Sequence, residues 1–232
     1  MNNASVKTSK IYSICLIVVL LVFIIAFAFA LPIWFRPFYY WQIDGLDLEN
    51  YSGFTREQII TAYDDVLNYL NFGTPFKTGE LKYSESGKSH FEDCKVLFDL
   101  DTWGFIISGV LLIAAALLYK FKVIRPAKLL KFDFYFYTGI AGVVIPVVAG
   151  IAIASDFENA FTLFHKLFFP GKENWHFDWY KDQIIRILPE EFFMRCGILI
   201  IAVWFGACLA LLITAIVKRR RAIKAELTEE QA

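Results

Sequence analysis

Residues 11–35 read IYSICLIVVLLVFIIAFAFALPIWF, a run without a single charge. About 20 apolar residues in a helix cross the roughly 30 Å hydrocarbon core of a bilayer, so this run is long enough to span it. Three further uncharged runs follow, at 102–119, 134–155 and 196–217. The shortest, 102–119, carries Trp103 and Tyr119 near its ends, where amphipathic aromatic rings favour the membrane interface. The composition agrees. The chain is 57% hydrophobic, against roughly 45–50% for a soluble domain. Ala28-Phe29-Ala30 resembles a signal-peptide cleavage site. The run is longer than the usual signal-peptide apolar region of about 7–15 residues, and an uncleaved anchor is expected.

Net charge is zero and excludes no partner, but the charge distribution is informative. Residues 1–10 hold Lys7 and Lys10 and no acid. The 120–133 loop holds Lys120, Lys122, Arg125, Lys128 and Lys131 against Asp133. The tail opens Lys218-Arg219-Arg220-Arg221, an ordinary stop-transfer flank that needs no nucleic acid. Residues 36–102 carry twelve acids and six bases, and residues 155–194 carry seven and four. Cationic loops stay in the cytoplasm. The expected order is a cytoplasmic N-terminus (1–10), a span (11–35), an outer loop (36–101), a span (102–119), a cytoplasmic loop (120–133), a span (134–155), an outer loop (156–195), a span (196–217) and a cytoplasmic tail (218–232). The fold class expected is an α-helical membrane protein, four transmembrane helices with an extracytoplasmic cap made from the two outer loops.

Those loops contain short amphipathic helices by their local signals. Thr55-Arg56-Glu57-Gln58 is a capping box, followed by Ile59, Ile60, Tyr63, Val66, Leu67 and Leu70 at helical spacing. Ser155-Asp156-Phe157-Glu158 repeats the box pattern with Ser155 as cap, and Phe157, Phe161, Phe164 and Phe168 form the apolar face. A second amphipathic piece is expected over 180–188, a small β element over 76–83, a helical lead from 91 to 100 into the second span, and a disordered tail over 225–232. Cys15 and Cys208 fall inside spans as small hydrophobes, while Cys94 and Cys196 lie close enough to the outer face for a disulfide to be open.

All three histidines, His90, His165 and His176, lie in the outer loops. Histidine is the side chain that exchanges protons near neutral pH, which makes that face the candidate for acid–base work. His90 and Asp93 are three apart and share a helix face, so the carboxylate can favour an imidazolium, or the two can be a hydrated surface pair. His165 borders the phenylalanine face, where desolvation keeps a histidine neutral, or where it simply satisfies a backbone carbonyl. His176, between Trp175 and Phe177, reads as non-catalytic. Three histidines with Glu85, Asp93, Asp178 or Asp182 could ligate zinc, but no His-Glu-x-x-His or paired Cys-x-x-Cys pattern is present. Gly87-Lys88-Ser89 lacks the earlier glycine of a phosphate loop, since Lys82 occupies that place. No Gly-x-Ser-x-Gly elbow occurs. The spans hold no Asp, Glu, Lys, Arg or His, which argues against an ion pathway through them.

The two loop motifs resemble those of the bacterial lipoprotein intramolecular transacylase family. The family's first motif runs Ser-Glu-Arg-Glu-Leu-x-His-Met-x-Asp-Val-Lys, and residues 84–95 read SESGKSHFEDCK. Ser84, Glu85, His90, Asp93 and Lys95 match, while Ser86 and Gly87 replace the Arg-Glu pair. The second motif is matched by Phe164-His165, Phe168-Phe169, Trp175, Phe177-Asp178, Asp182 and Leu188-Pro189-Glu190, with Trp179 where the family usually has proline. Tyr63 and Asp64 also match, and the four-span order covers nearly the whole chain. The resemblance implies intramolecular acyl transfer on a mature lipoprotein in the bacterial cytoplasmic membrane, with the site on its outer face. The sn-2 acyl chain of the diacylglyceryl-cysteine would move to the cysteine α-amine, leaving an N-acyl S-monoacylglyceryl (lyso-form) lipoprotein. It implies a catalytic pair, His90 and His165, with Glu85, Asp93, Tyr63, Trp175, Asp178 and Asp182 supporting them or binding substrate. No metal or cofactor is implied. The partners implied are the diacylglyceryl lipoprotein and membrane phospholipid. A zinc-dependent membrane hydrolase and a non-catalytic envelope scaffold remain the alternatives.

Overall fold

A computed structural model describes residues 3–230, with side chains from 7 to 229. Its elements are helices α1 (Asn3–Trp34), α2 (Pro37–Gly45), α3 (Leu48–Ser52), α4 (Arg56–Phe72), α5 (Glu85–Lys120), α6 (Phe134–Ser155) and α7 (Phe157–Phe168), a 3₁₀ turn (Gln183–Arg186), and α8 (Glu190–Glu230). Helices α1, α5, α6 and α8 are long and apolar enough to cross a membrane. At 36 residues, α5 would measure about 54 Å at 1.5 Å per residue, well beyond what a bilayer requires. Its residues 85–101 hold seven charged side chains, and 102–119 hold none before Lys120.

The chain divides into two compact units. The first consists of Met1–Ala28, Gly104–Val148 and Ile201–Ala232. Small residues let its helices approach: a Cβ on Gly142 would overlap Cys208 Sγ, and one on Gly139 would lie 2.8 Å from the Cys208 carbonyl. Phe23 stacks on Phe105 at 5.2 Å. Val110, Ile113, Val144 and Ile213 point outward and stay exposed, as side chains facing lipid must. Lys218 and Arg219 lie over the rings of Tyr135 and Phe132 at 4.3 and 4.2 Å.

The second unit consists of Phe29–Trp103 and Ala149–Ile200, and it has a core of its own. The expected stripe of α4 is its centre: Ile59, Ala62, Tyr63, Val66, Leu67 and Leu70 are buried, with Ile60 half-buried beside them. Tyr39 of α2 stacks on Tyr63 at 3.6 Å and donates its hydroxyl to the Ile187 carbonyl at 2.8 Å. The capping box forms as expected: Thr55 Oγ1 accepts from Gln58 N, and Gln58 Oε1 accepts from Thr55 N at 3.0 Å. Thr55→Ala should therefore cost about 0.5–2 kcal/mol, seen as faster hydrogen exchange confined to the first turn of α4.

Four local expectations need correction. Ser155 is no cap: α6 continues through it, its hydroxyl donates to the Ile151 carbonyl, and Asp156 caps α7 by accepting from Asn159 N at 3.0 Å. Residues 76–83 form no strand, only an isolated bridge between Thr78 and Glu80, because no neighbouring strand extends it. The amphipathic piece expected over 180–188 shrinks to the 3₁₀ turn. Residues 225–230 continue α8 rather than fraying, while 231 and 232 lie outside the described residues. Cys94 and Cys196 are free thiols.

Candidate active site

Within the second unit, one cavity of about 610 Å³ is walled mainly by aromatic and aliphatic side chains. Helix α5 brings His90 to its wall and α7 brings His165. Both are more than nine-tenths buried, and their ring centroids lie 5.6 Å apart. Phe169 and Phe177 meet His90 edge-on at 5.0 and 5.5 Å, while Trp175 stacks on His165 at 4.7 Å.

The hydrogen bonds of His165 assign its tautomer. Nδ1 lies 2.8 Å from the Phe161 carbonyl, one turn earlier on α7. A carbonyl can only accept, so Nδ1 carries the proton and Nε2 keeps a lone pair. Burial lowers the pKa of His165, against a smaller opposing effect of the Phe161 carbonyl. Burial and the neighbouring His165 lower His90 to about 4. Both rings are neutral at physiological pH. Because the unfolded chain protonates near the ordinary histidine value of about 6.5, it takes up protons before the folded chain does. Stability should be full above about pH 6.5 and fall as pH drops from there toward 4. Thermal unfolding in detergent as a function of pH measures this, and the slope should flatten in a His90→Gln, His165→Gln double variant.

Of the two readings open for Asp93 and His90, the direct pairing does not form. Asp93 Oδ1 accepts from Lys172 Nζ at 3.2 Å, and Oδ2 accepts from Asn174 Nδ2 at 2.8 Å. The carboxylate, held low chiefly by these two donors against its desolvation, ties the 172–174 loop to α5. Histidine 90 has a different neighbour: Cys94 Sγ lies 3.3 Å from Nε2. The i,i+4 spacing is visible in the sequence, where Cys94 reads only as a candidate disulfide partner of Cys196. Nδ1 of His90 is buried without a hydrogen-bond partner among the described residues.

Of the other expected site residues, Tyr63 and Trp175 line the cavity. Asp182, almost wholly buried, is a clamp: Oδ1 accepts from Ser84 N at 2.7 Å and Oδ2 from Asp178 N at 3.2 Å. Asp178 Oδ1 accepts from Tyr180 N and Lys181 N and shapes the same turn. Glu85 is exposed and lies 3.9 Å from Lys88. His176 sits at the rim, mostly exposed, 3.2 Å from Glu173. The site thus holds two neutral imidazoles in an apolar chamber, one with a free basic nitrogen. Such a pair can move a proton between reacting groups without forming a covalent intermediate on the protein.

Comparison with known proteins gives the family and the fold. The sequence model of the family described as lipoprotein intramolecular transacylase Lit matches residues 14–193. Among solved structures, the membrane-integral lipoprotein intramolecular transacylase Lit of Bacillus cereus aligns with a TM-score of 0.80 at 27% identity, covering 93% of this chain and 99% of that one. A variant of that protein with one histidine replaced by arginine aligns with a TM-score of 0.72 at 25% identity, over 96% and 95%. An uncharacterized protein of Aquifex aeolicus (strain VF5) is 27% identical over 127 residues, 55% of this chain. The chain spans about half the length of that curated relative, 53%.

Proposed function

This chain belongs to the lipoprotein intramolecular transacylase family, and from that premise we propose that it moves the sn-2 acyl chain of a diacylglyceryl-cysteine to the α-amine of the same cysteine. The observation that carries the proposal is the facing of His90 and His165, ring centroids 5.6 Å apart, in an apolar chamber. An α-amine has a pKa of about 8 and reacts once deprotonated. Its nitrogen attacks the sn-2 carbonyl, and His165 Nε2 takes the proton the amine gives up. His90 Nδ1 has no hydrogen-bond partner among the described residues and is the group left to hydrogen-bond the developing oxyanion. Collapse breaks the bond to the glycerol oxygen, which receives the proton back from His165. The carbon–nitrogen bond forms, the carbon–oxygen bond breaks, and the proton count closes. Nucleophile and ester share one molecule, so proximity is supplied by the substrate.

The test is mass spectrometry of lipoprotein N-termini from cells with and without the protein. N-acyl S-monoacylglyceryl cysteine should appear only with it. Continued appearance of the diacylglyceryl form alone would reject the proposal, and chelator-sensitive deacylation would point to a zinc hydrolase instead.

The charge asymmetry supports placing both termini and the 120–133 loop in the cytoplasm and the histidines on the outer face. A membrane-impermeant maleimide should label Glu85→Cys or Lys172→Cys in intact cells, since Glu85 and Lys172 are exposed. Labelling that requires permeabilisation would reverse the topology.

A further inference from the structure

The two histidines have different neighbours, and those neighbours set different tautomers. His165 is set by the Phe161 carbonyl, which forces the proton onto Nδ1. His90 lies one turn before Cys94 on α5, with Cys94 Sγ 3.3 Å from Nε2. A thiol sulfur is a poor acceptor, whereas a neutral imidazole nitrogen is a good one. The stronger arrangement of the pair is therefore S–H donating to Nε2. Burial pushes the Cys94 thiol up to about 12, so its proton is present at any physiological pH. With Nε2 occupied as an acceptor, the ring's own proton must sit on Nδ1. That atom is buried at the cavity wall and has no partner among the described residues.

We infer that Cys94 is the positioning residue of His90, fixing the ring as its Nδ1–H tautomer and so making it the hydrogen-bond donor of the pair while His165 is the base. The role rests on the transacylase reading above, but the tautomer does not. The roles differ because the two rings lean on opposite kinds of neighbour, a donor for His90 and an acceptor for His165. The residue at hydrogen-bond distance of His90 Nε2 is Cys94. A valine there would fill similar space and leave Nε2 bare.

The experiment combines imidazole nitrogen-15 NMR with kinetics on the full-length protein in detergent. Histidine is labelled with nitrogen-15, and the His90 signals are assigned through a His90→Asn variant. The wild-type protein should show His90 protonated on Nδ1. In Cys94→Val the signal should shift toward the Nε2–H form, and in Cys94→Ser, whose hydroxyl can also donate, it should stay near wild type. On a synthetic diacylglyceryl lipopeptide, kcat of Cys94→Val should fall about tenfold with KM unchanged, less than the roughly 10²–10³ lost when an oxyanion donor is deleted outright. Cys94→Ser should recover most of it. A wild-type His90 protonated on Nε2 would overturn the inference, as would a Cys94→Val protein whose spectrum and kcat match wild type. Equal loss in the valine and serine variants with an unchanged tautomer would also overturn it, as a packing effect. If the tautomer behaves as stated but no lipopeptide is N-acylated, the positioning stands and the transacylase reading fails.

Discussion

Alanine at His165 should abolish conversion of diacylglyceryl lipoprotein to the lyso form, and alanine at His90 should do the same. A general acid or base contributes about 10²–10⁴-fold, and partners acting as a unit give similar losses singly and together. The readout is the mass of the modified lipopeptide over time, with membrane insertion, abundance and thermal unfolding measured alongside. Both side chains are buried, so His165→Asn and His90→Asn serve as polar replacements should alanine collapse the cavity. His176→Ala should keep activity within a few-fold, because that ring is mostly exposed and pairs with Glu173. Near-normal N-acylation in any variant at His90 or His165 would remove that histidine from the mechanism.

Gly87→Val is expected to be damaging too, although Gly87 is not among the residues that line the cavity. A Cβ there would overlap Asp182 Oδ1 and lie 3.0 Å from the Phe177 ring. Asp182 satisfies the backbone N–H groups of Ser84 and Asp178, and Phe177 packs on His90. Pushing this carboxylate aside strands two donors at about 1–3 kcal/mol each and frees the loop that closes the cavity. Hydrogen exchange should rise over residues 177–188, and transacylation should drop at least tenfold. Asp182→Ala should produce the same exchange pattern. The Gly87→Ala, Asp182→Ala double variant should lose less than the sum of its parts, since the carboxylate is what a new Cβ strikes. An additive result would mean that Gly87 matters for some other reason.

Features carried by short-range pattern were legible from the residues. The four spans follow from charge-free length, the α4 stripe from 3.6-residue periodicity, and the Thr55 cap from its box. The candidate histidines stood out because no other side chain titrates near neutrality. What failed depended on partners distant in sequence or on competition between neighbours. Ser155 and Asp156 both can cap, and the choice turns on whether α6 continues one residue further. Asp93 looks like a partner for His90 by helical spacing, yet Lys172 and Asn174, about 80 residues on, take both oxygens. The resemblance to a known family marked Ser86 and Gly87 as departures; the packing of Asp182 explains why residue 87 has no side chain.

The walls of the cavity decide more than where the substrate sits. Under the proposed acyl transfer, an activated ester held between the two histidines would be open to any nucleophile that reaches it, and water is the most abundant. Attack by water would release a free fatty acid and leave the cysteine amine bare, a lipoprotein held by one chain instead of two. Phe161, Phe169, Trp175 and Phe177 surround the imidazoles with rings that offer water little to bind. Fidelity in this chemistry is then a property of dryness. The ratio of N-acylated product to released fatty acid, followed as those rings are trimmed one at a time, would report how dry the chamber is.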